Sequence, residues 1–241
     1  MLISIIVPAF NEETILADSL ASIRQAATAL DAAGFGWELI VCDNNSTDRT
    51  SEIARQAGAH VVFEPVNQIA RARNAGAAVA RGQWLVFVDA DSHPSPGLFA
   101  DVAQEIAGGR CLAGGSTVAV DLEHAGARLV IHGWNLTSRL MRWAAGSFIF
   151  CETASFREIG GFSLRFYAAE EIDLFRRLKR LARARGGTIR ILSKHPLHTS
   201  ARKAHLYSPR EFVVFQLKTI LTAGRTLRSA EGSALWYDGR R

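Results

Sequence analysis

The sequence predicts an α/β fold, a mostly parallel sheet with helices on both faces. Three observations carry this. Short apolar runs of strand length alternate with segments whose apolar residues recur at helical spacing. The helical segments stop at glycines. Each of the first strand-length runs is apolar almost throughout, as a strand covered on both faces must be. Hydrophobic residues make up 48% of the 241, enough for a sizeable core and too many for wholesale disorder.

Ile3–Val7 is the first run, and with its flanks it reads as a buried strand rather than a signal peptide, since no basic leader precedes it and Pro8 ends it. Thr14–Leu30 has helical spacing and stops at Gly34. Trp37–Cys42 is the second strand, Asp48–Ala57 a short helix ended by Gly58, and His60–Phe63 the third strand. Ile69–Arg81 is an alanine-rich helix closed by Gly82, and Trp84–Val88 is the fourth strand. The second half is less regular. Pro94-Ser95-Pro96 leads into a helix over about Gly97–Ala107. A strand near Leu112–Val120, a mixed helical stretch through Trp143 and a strand at Ser147–Cys151 follow. Glu170–Arg185 is a basic helix and Thr188–Leu192 a short strand. Ser208-Pro209-Arg210-Glu211 has the form of a capping box with proline at the first helical position. It opens a helix to about Ser229, expected to pack on the sheet domain, with in-plane membrane contact as the alternative.

No run is long and apolar enough for a spanning helix. Three cysteines, Cys42, Cys111 and Cys151, have neither metal-ligand nor redox spacing, which fits a reducing, cytoplasmic compartment. The net charge of +5 is unevenly placed. Residues 1–175 carry 12 basic and 20 acidic side chains, residues 176–241 carry 16 basic and 3 acidic ones. So basic a tail suits an anionic partner: membrane headgroups at the inner face, a lipid phosphate or a nucleotide diphosphate. No nucleic-acid motif accompanies the charge, so nucleic acid is not expected.

In parallel sheets ligands sit beyond the carboxyl ends of the strands. Three polar clusters fall there: Pro8-Ala9-Phe10-Asn11-Glu12-Glu13, Asp43-Asn44-Asn45-Ser46-Thr47-Asp48 and Asp89-Ala90-Asp91. Two aspartates two residues apart at a strand end share one side by alternation and suit Mg²⁺ or Mn²⁺, hard cations that favour oxygen ligands and bridge to phosphate. Asp43 offers an acceptor to a base or ribose, while Ser46 or Asp48 offers a cap to the next helix. Phe10 offers an apolar face and Glu12 an acceptor. Arg71 and Arg73 are too close in sequence to share a helix face, so one reaches phosphate and the other is solvated. Alanines and Gly76 let this helix approach the sheet. Trp134, Trp143 and Phe148 read first as core, with lining of the acceptor side as the alternative.

These elements, in this order, resemble glycosyltransferase family 2, proteins of the GT-A fold. The resemblance runs from about Ile3 to Arg177. It rests on Ile6-Val7-Pro8-Ala9-Phe10-Asn11-Glu12, on Asp43-Asn44-Asn45-Ser46-Thr47-Asp48, on Ala72-Arg73-Asn74-Ala75-Gly76, on Asp89-Ala90-Asp91 and on Gly160-Gly161-Phe162. It implies a GT-A domain over residues 1–205, with a nucleotide-binding half to about residue 92 and an acceptor half beyond, and a helical extension over residues 206–241. The implied activity is metal-dependent, inverting transfer of a sugar from a nucleoside-diphosphate sugar to a hydroxyl or phosphate acceptor. The donor would be a UDP-sugar or a GDP-sugar, and the acceptor a lipid carrier, a glycan or a small molecule.

By the same resemblance Pro8, Ala9, Phe10, Asn11, Glu12, Asp43, Asn44, Arg71, Asn74, Asp89, Ala90 and Arg202 hold the nucleotide-sugar. Asp91, Asp89 and His198, with His195 as the alternative, hold Mn²⁺ or Mg²⁺. The family's Glu-Asp-x-Asp-Leu stands here as Glu170-Glu171-Ile172-Asp173-Leu174, so Glu171, or else Glu170, is the base that deprotonates the acceptor. Asn44 stands where a second aspartate is commoner. Two other readings compete: a sugar nucleotidyltransferase, which would carry a glycine-rich loop absent from Pro8–Glu13, and a non-catalytic nucleotide-sugar binding protein.

Overall fold

The computed structural model describes residues 1–120 and 125–199. Arg202 and the extension over residues 206–241 lie outside this range. In chain order the elements are β1 (Leu2–Ala9), α1 (Leu16–Ala32), β2 (Gly36–Asp43), α2 (Thr50–Gln56), β3 (His60–Phe63), α3 (Ile69–Val79), β4 (Trp84–Val88), β5 (Ser92–His93), α4 (Pro96–Ala107), β6 (Cys111–Ala119), α5 (Ala125–Met141), β7 (Phe148–Glu152), α6 (Thr153–Glu158), α7 (Glu170–Arg185) and β8 (Thr188–Thr199).

All eight strands form one sheet in the order β3-β2-β1-β4-β7-β6-β8-β5. The first four are mutually parallel, as the alternating pattern predicts. Then β7 runs antiparallel between β4 and β6, β8 lies parallel to β6, and β5 is antiparallel to β8. The second half is thus mixed, and apolar runs alone do not reveal strand direction.

Strand alternation sorts the core onto two faces. Ile3, Ile5, Val7, Val86 and Val88 pack with Leu16, Leu20 and Ile23 of α1 and Leu98 and Phe99 of α4. Ile6, Leu85 and Phe87 pack with Ala70 and Ala77 of α3, Phe156 of α6 and Leu174, Phe175 and Leu178 of α7. The expected close approach of α3 is present: a Cβ on Gly76 would lie 2.5 Å from Ile6 Cγ2. Phe87, Phe156 and Phe162 form a ring cluster with centroids 5.2–5.7 Å apart. Cys42, Cys111 and Cys151 are free and buried, and burial pushes the Cys42 and Cys111 thiols up to about 12. Among the described residues no helix is long and apolar enough to cross a membrane.

Three local features depart from the sequence reading. Asp89-Ala90-Asp91 is not an extended strand end but a turn closed by the Ser92 amide on the Asp89 carbonyl at 3.1 Å. Two short elements, β5 and α6, carry too few residues to show a period. The last strand is 12 residues rather than five, because it bends at a bulge between Leu192 and Leu197 and resumes pairing with β6 and β5.

Candidate functional site

The loops leaving β1 and β2 are sewn to each other. In strand register Ala9 stands opposite Asp43, and the Asn44 amide donates to the Ala9 carbonyl at 2.8 Å. Asn11 adopts a left-handed backbone (φ 52°), which asparagine tolerates better than most residues. From there its amide donates to Ser46 Oγ, and its side-chain oxygen accepts from the Thr47 amide at 2.8 Å. The Glu12 amide donates to Thr50 Oγ1 at 2.8 Å. Asp48 accepts from both the amide and the hydroxyl of Thr50, the first residue of α2. Burial works against its charge, but these bonds and the Glu13 amide hold Asp48 below the usual carboxylate range.

Asp43, buried at the end of β2, accepts from the Ser46 amide (2.9 Å) and from Ser51 Oγ (2.5 Å). Asn44 is committed to backbone: its nitrogen donates to the carbonyls of Glu64 and Val66, and its oxygen accepts from the Gln68 amide at 2.9 Å. It ties β2 to the start of α3. The side chain of Gln68 then donates to the carbonyls of Leu164 and Phe166, just ahead of α7. Asn74 exchanges two hydrogen bonds of 2.9 Å with the backbone of Phe162, pinning the Gly160-Gly161-Phe162 loop. Arg177 holds the same loop from α7, donating to the carbonyls of Ile159 and Gly161.

Arg73 is the hub. It is 1% exposed and not solvated. Its guanidinium donates to Glu170 Oε1 at 2.6 Å, to Asp89 Oδ1 at 2.9 Å and to the Gly146 carbonyl at 2.8 Å, and lies 5.2 Å from the Phe162 ring centre. Burial favours its neutral form, but Asp89, Glu170 and Glu171 keep it charged. The sequence reading left Arg73 undecided between phosphate and solvent. Its partners are 16 and 97 residues away, and nothing in the periodicity of α3 marks them. Arg71, two residues earlier on α3, is half-buried.

At the start of α7, Ala169 is left-handed (φ 62°) and turns the chain so that Glu170 points into the protein, 4% exposed, against Arg73. Glu171 is half-buried, and among the described residues its carboxylate makes no ion pair. A Cβ on Gly146 would sit 3.7 Å from the Glu171 carboxyl carbon and 3.3 Å from an Arg73 nitrogen. The bare glycine therefore leaves room in front of this acid. Burial, then the neighbouring Glu170 charge, raises Glu171 from the ordinary 4.5 to about 8. Glu170 is also raised, by burial, although Arg73 opposes it.

Asp91 is buried, with Ser92 Oγ 3.4 Å from its carboxylate. The short β5 pairs with the end of β8, setting Ser92 against Thr199 and His93 against His198. His198 therefore lies on the strand beside the aspartate turn. His195 sits at the bulge and is turned onto α4, its Nδ1 2.9 Å from Asp101 Oδ2 and its ring against Gly97. Among the described residues no three metal-ligand side chains are grouped closely enough to hold an ion unaided.

Of the residues named from sequence, the Pro8–Glu12 loop, Asp43, Asn44 and Asp89 stand at the rim where β1, β2 and β4 end, and Arg73 links Asp89 to Glu170 at the start of α7, whereas His195 is turned onto α4 and Arg202 lies outside the described residues. Asp89 is tied to Glu170 through a single guanidinium, while Asn44 and Asn74 brace the loops that carry the others.

The chain has relatives of known sequence and structure. Among curated relatives, the uncharacterized glycosyltransferase Mb0553 of Mycobacterium bovis (strain ATCC BAA-935 / AF2122/97) is 30% identical over 141 residues, 57% of this chain and 60% of that one. The chain spans between 30% and 60% of the first curated relatives it matches. Residues 1–349 of TarS from S. aureus superpose with a TM-score of 0.62 at 19% identity, covering 98% of this chain and 69% of that one. Glucosyl-3-phosphoglycerate synthase from Mycobacterium tuberculosis, solved with Mn²⁺, UDP and glucosyl-3-phosphoglycerate, superposes with a TM-score of 0.58 at 20% identity, covering 91% and 77%. Both share the fold. A single family model takes in all five motif segments through the α7 acids, matching residues 4–173, and by that match the chain belongs to glycosyl transferase family 2.

Proposed function

We propose that this protein transfers a sugar from a nucleoside-diphosphate sugar to an acceptor hydroxyl or phosphate by a single inverting displacement, with Glu171 as general base. One observation carries the reading: of two adjacent acids at the rim, Glu170 is spent on Arg73, while Glu171 stands half-buried beside the space left by Gly146. A carboxyl raised to about 8 is a stronger proton acceptor than an ordinary glutamate once ionised, so transfer is expected to rise with pH towards 8 as Glu171 loses its proton. Attack of the deprotonated acceptor oxygen on the anomeric carbon breaks the bond to the diphosphate, with no covalent enzyme intermediate.

Asp43, the Pro8–Glu12 loop and Arg71 are assigned to the nucleotide, and Asp89, with one oxygen on Arg73, to the ribose or the metal. Asp91 fits a hard divalent cation: it is an oxygen donor, buried, and engaged by one long hydroxyl contact among the described residues. Asp91 would be the first ligand of Mg²⁺ or Mn²⁺, with Asp89 and His198, which do not form a ready-made triad with it, assigned as further ligands beside the donor diphosphate; when bound the ion supplies positive charge to that leaving group. His198 is preferred to His195, which is paired to Asp101. The UDP and Mn²⁺ in glucosyl-3-phosphoglycerate synthase support a UDP-sugar as the first donor to try.

The test is a thermal-shift screen of UDP-, GDP- and dTDP-sugars with Mn²⁺, followed by donor hydrolysis and transfer, with Asp91→Ala alongside. Stabilisation and turnover by one donor class, both lost in Asp91→Ala while the fold survives, are expected. Full turnover in Asp91→Ala with metal chelated would defeat the reading, and tight donor binding without turnover towards any acceptor would mark a sensor.

A further inference from the structure

A second site lies about 18 Å along α7 from Glu171, by the 1.5 Å rise per residue over the twelve residues to Arg183. There the end of α5, the second half of α7 and the start of β8 enclose a cavity of about 360 Å³. Its wall carries Arg142, Lys179 and Arg183, with Leu140 and Met141 at its edge and no carboxylate among its lining residues. Arg176 adds a fourth cation: it and Lys179 lie 6.0 and 5.3 Å from the Trp143 ring centre. Six arginines elsewhere in the described chain find acids: Arg49 with Glu52, Arg73 with Asp89 and Glu170, Arg81 with Glu38, Arg177 with Asp173, Arg185 with Glu152 and Glu158, and Arg190 with Glu105; the cavity differs in gathering several unpaired cations in one place. Among the described residues none of the four cations at the cavity forms an ion pair. Lys179 donates instead to the Met141 carbonyl. Burial first, then the charges of Arg183, Arg142 and Arg176, pull its ammonium below the usual lysine range.

Beside these cations the C-terminal half of α5 exposes Leu136, Leu140 and Met141. Leu136 is 58% exposed, Leu140 74% and Met141 45%. Leu136 and Leu140 are four residues apart and share a face. Clustered cations with no acid among them attract an anion, and an exposed apolar ridge alongside favours cover. A bilayer containing anionic lipid meets both needs, phosphate headgroups at the cations and the leucines among the acyl chains.

We propose that the α5–α7 face docks on an anionic membrane surface, with a lipid phosphate in the Arg142–Lys179–Arg183 cavity and Leu136 and Leu140 inserted beside it. The surface is independent of donor chemistry, so it stands or falls apart from the transferase reading.

The experiment is co-sedimentation of the full chain with phosphatidylcholine vesicles, with and without phosphatidylglycerol, for wild type, Arg142→Asn/Arg183→Gln and Leu140→Ser. Asparagine is chosen at Arg142 because that residue is left-handed (φ 50°). Circular dichroism and donor thermal shift check that the variants keep the fold and the donor rim. Phosphatidylglycerol-dependent binding is expected, weakened about fivefold per charge removed, and weakened also by Leu140→Ser. Wild-type binding indifferent to phosphatidylglycerol would overturn the proposal. So would charge and leucine variants that bind like wild type, since another basic segment would then carry the contact. Stabilisation by inorganic phosphate without vesicle binding, lost in Arg142→Asn/Arg183→Gln, would put soluble phosphate in the cavity and equally overturn the lipid assignment.

Discussion

At the scale of single residues the site is a division of labour between like charges. Glu170 and Glu171 are neighbours in sequence, yet the left-handed Ala169 and the first turn of α7 send one into Arg73 and leave the other at the rim. The motif alone did not separate them, because identical chemistry in adjacent positions is distinguished only by which direction each points and what it meets. The difference has a pH signature. Burial, then Glu170, lifts Glu171 to about 8, so its proton is held more tightly in the folded than in the unfolded chain, where it leaves near 4.5. Its contribution to stability is therefore fully present below about pH 4.5 and is lost as pH rises through 8. Glu171→Gln is expected to unfold like wild type at pH 4 and at a higher temperature than wild type at pH 8.5. Equal melting temperatures at both pH values would show that the carboxyl is not held in its neutral form.

At the scale of elements, the parallel half was legible and the joints were not. Strands β1 to β4 are continuous apolar runs and α3 is a run of small residues, so period and glycine stops locate them closely; β3, β4 and α7 have the bounds the sequence indicates. The β5 pair, the α6 turn and the far end of β8 exist through tertiary pairing, and a two-residue strand has no period to detect. Likewise Asn74 belongs to a motif read as nucleotide-binding, but both functional ends of its amide meet Phe162. A motif residue that shapes a loop and one that touches a ligand look alike in sequence. Asn74→Ala should lower stability by about 1–3 kcal/mol, the cost of leaving buried backbone groups unpaired, while donor affinity stays within about twofold. Chemical denaturation and donor titration check this. An intact fold with donor affinity lost would instead make Asn74 a ligand residue.

At the scale of the molecule, the sheet changes from parallel to antiparallel at β4–β7, and the rim lies over that seam. Arg73 crosses it: it projects from α3 in the parallel half and binds the β4 exit, the loop before β7 and the first turn of α7. Gln68 makes a parallel link to the carbonyls of Leu164 and Phe166. The sequence announced the acids gathered here but not the cation that gathers them, because a buried arginine among alanines carries no mark of its partners. Removing one partner of a buried ion pair leaves the others uncompensated and costs about 3–5 kcal/mol. Arg73→Met should lose that much by urea unfolding, and Arg73→Met combined with Glu170→Met should recover part of it. A single variant as stable as wild type would mean that Arg73 does not hold the halves together.

Glu171 is the acid proposed to take the acceptor's proton, and the most direct measurement of that role is the single-turnover transfer rate of Glu171→Gln with saturating donor. A fall of about 10²- to 10⁴-fold is predicted, with donor dissociation constant unchanged and with Glu170→Gln failing in stability rather than selectively in the chemical step. Transfer by Glu171→Gln at the wild-type rate would contradict it.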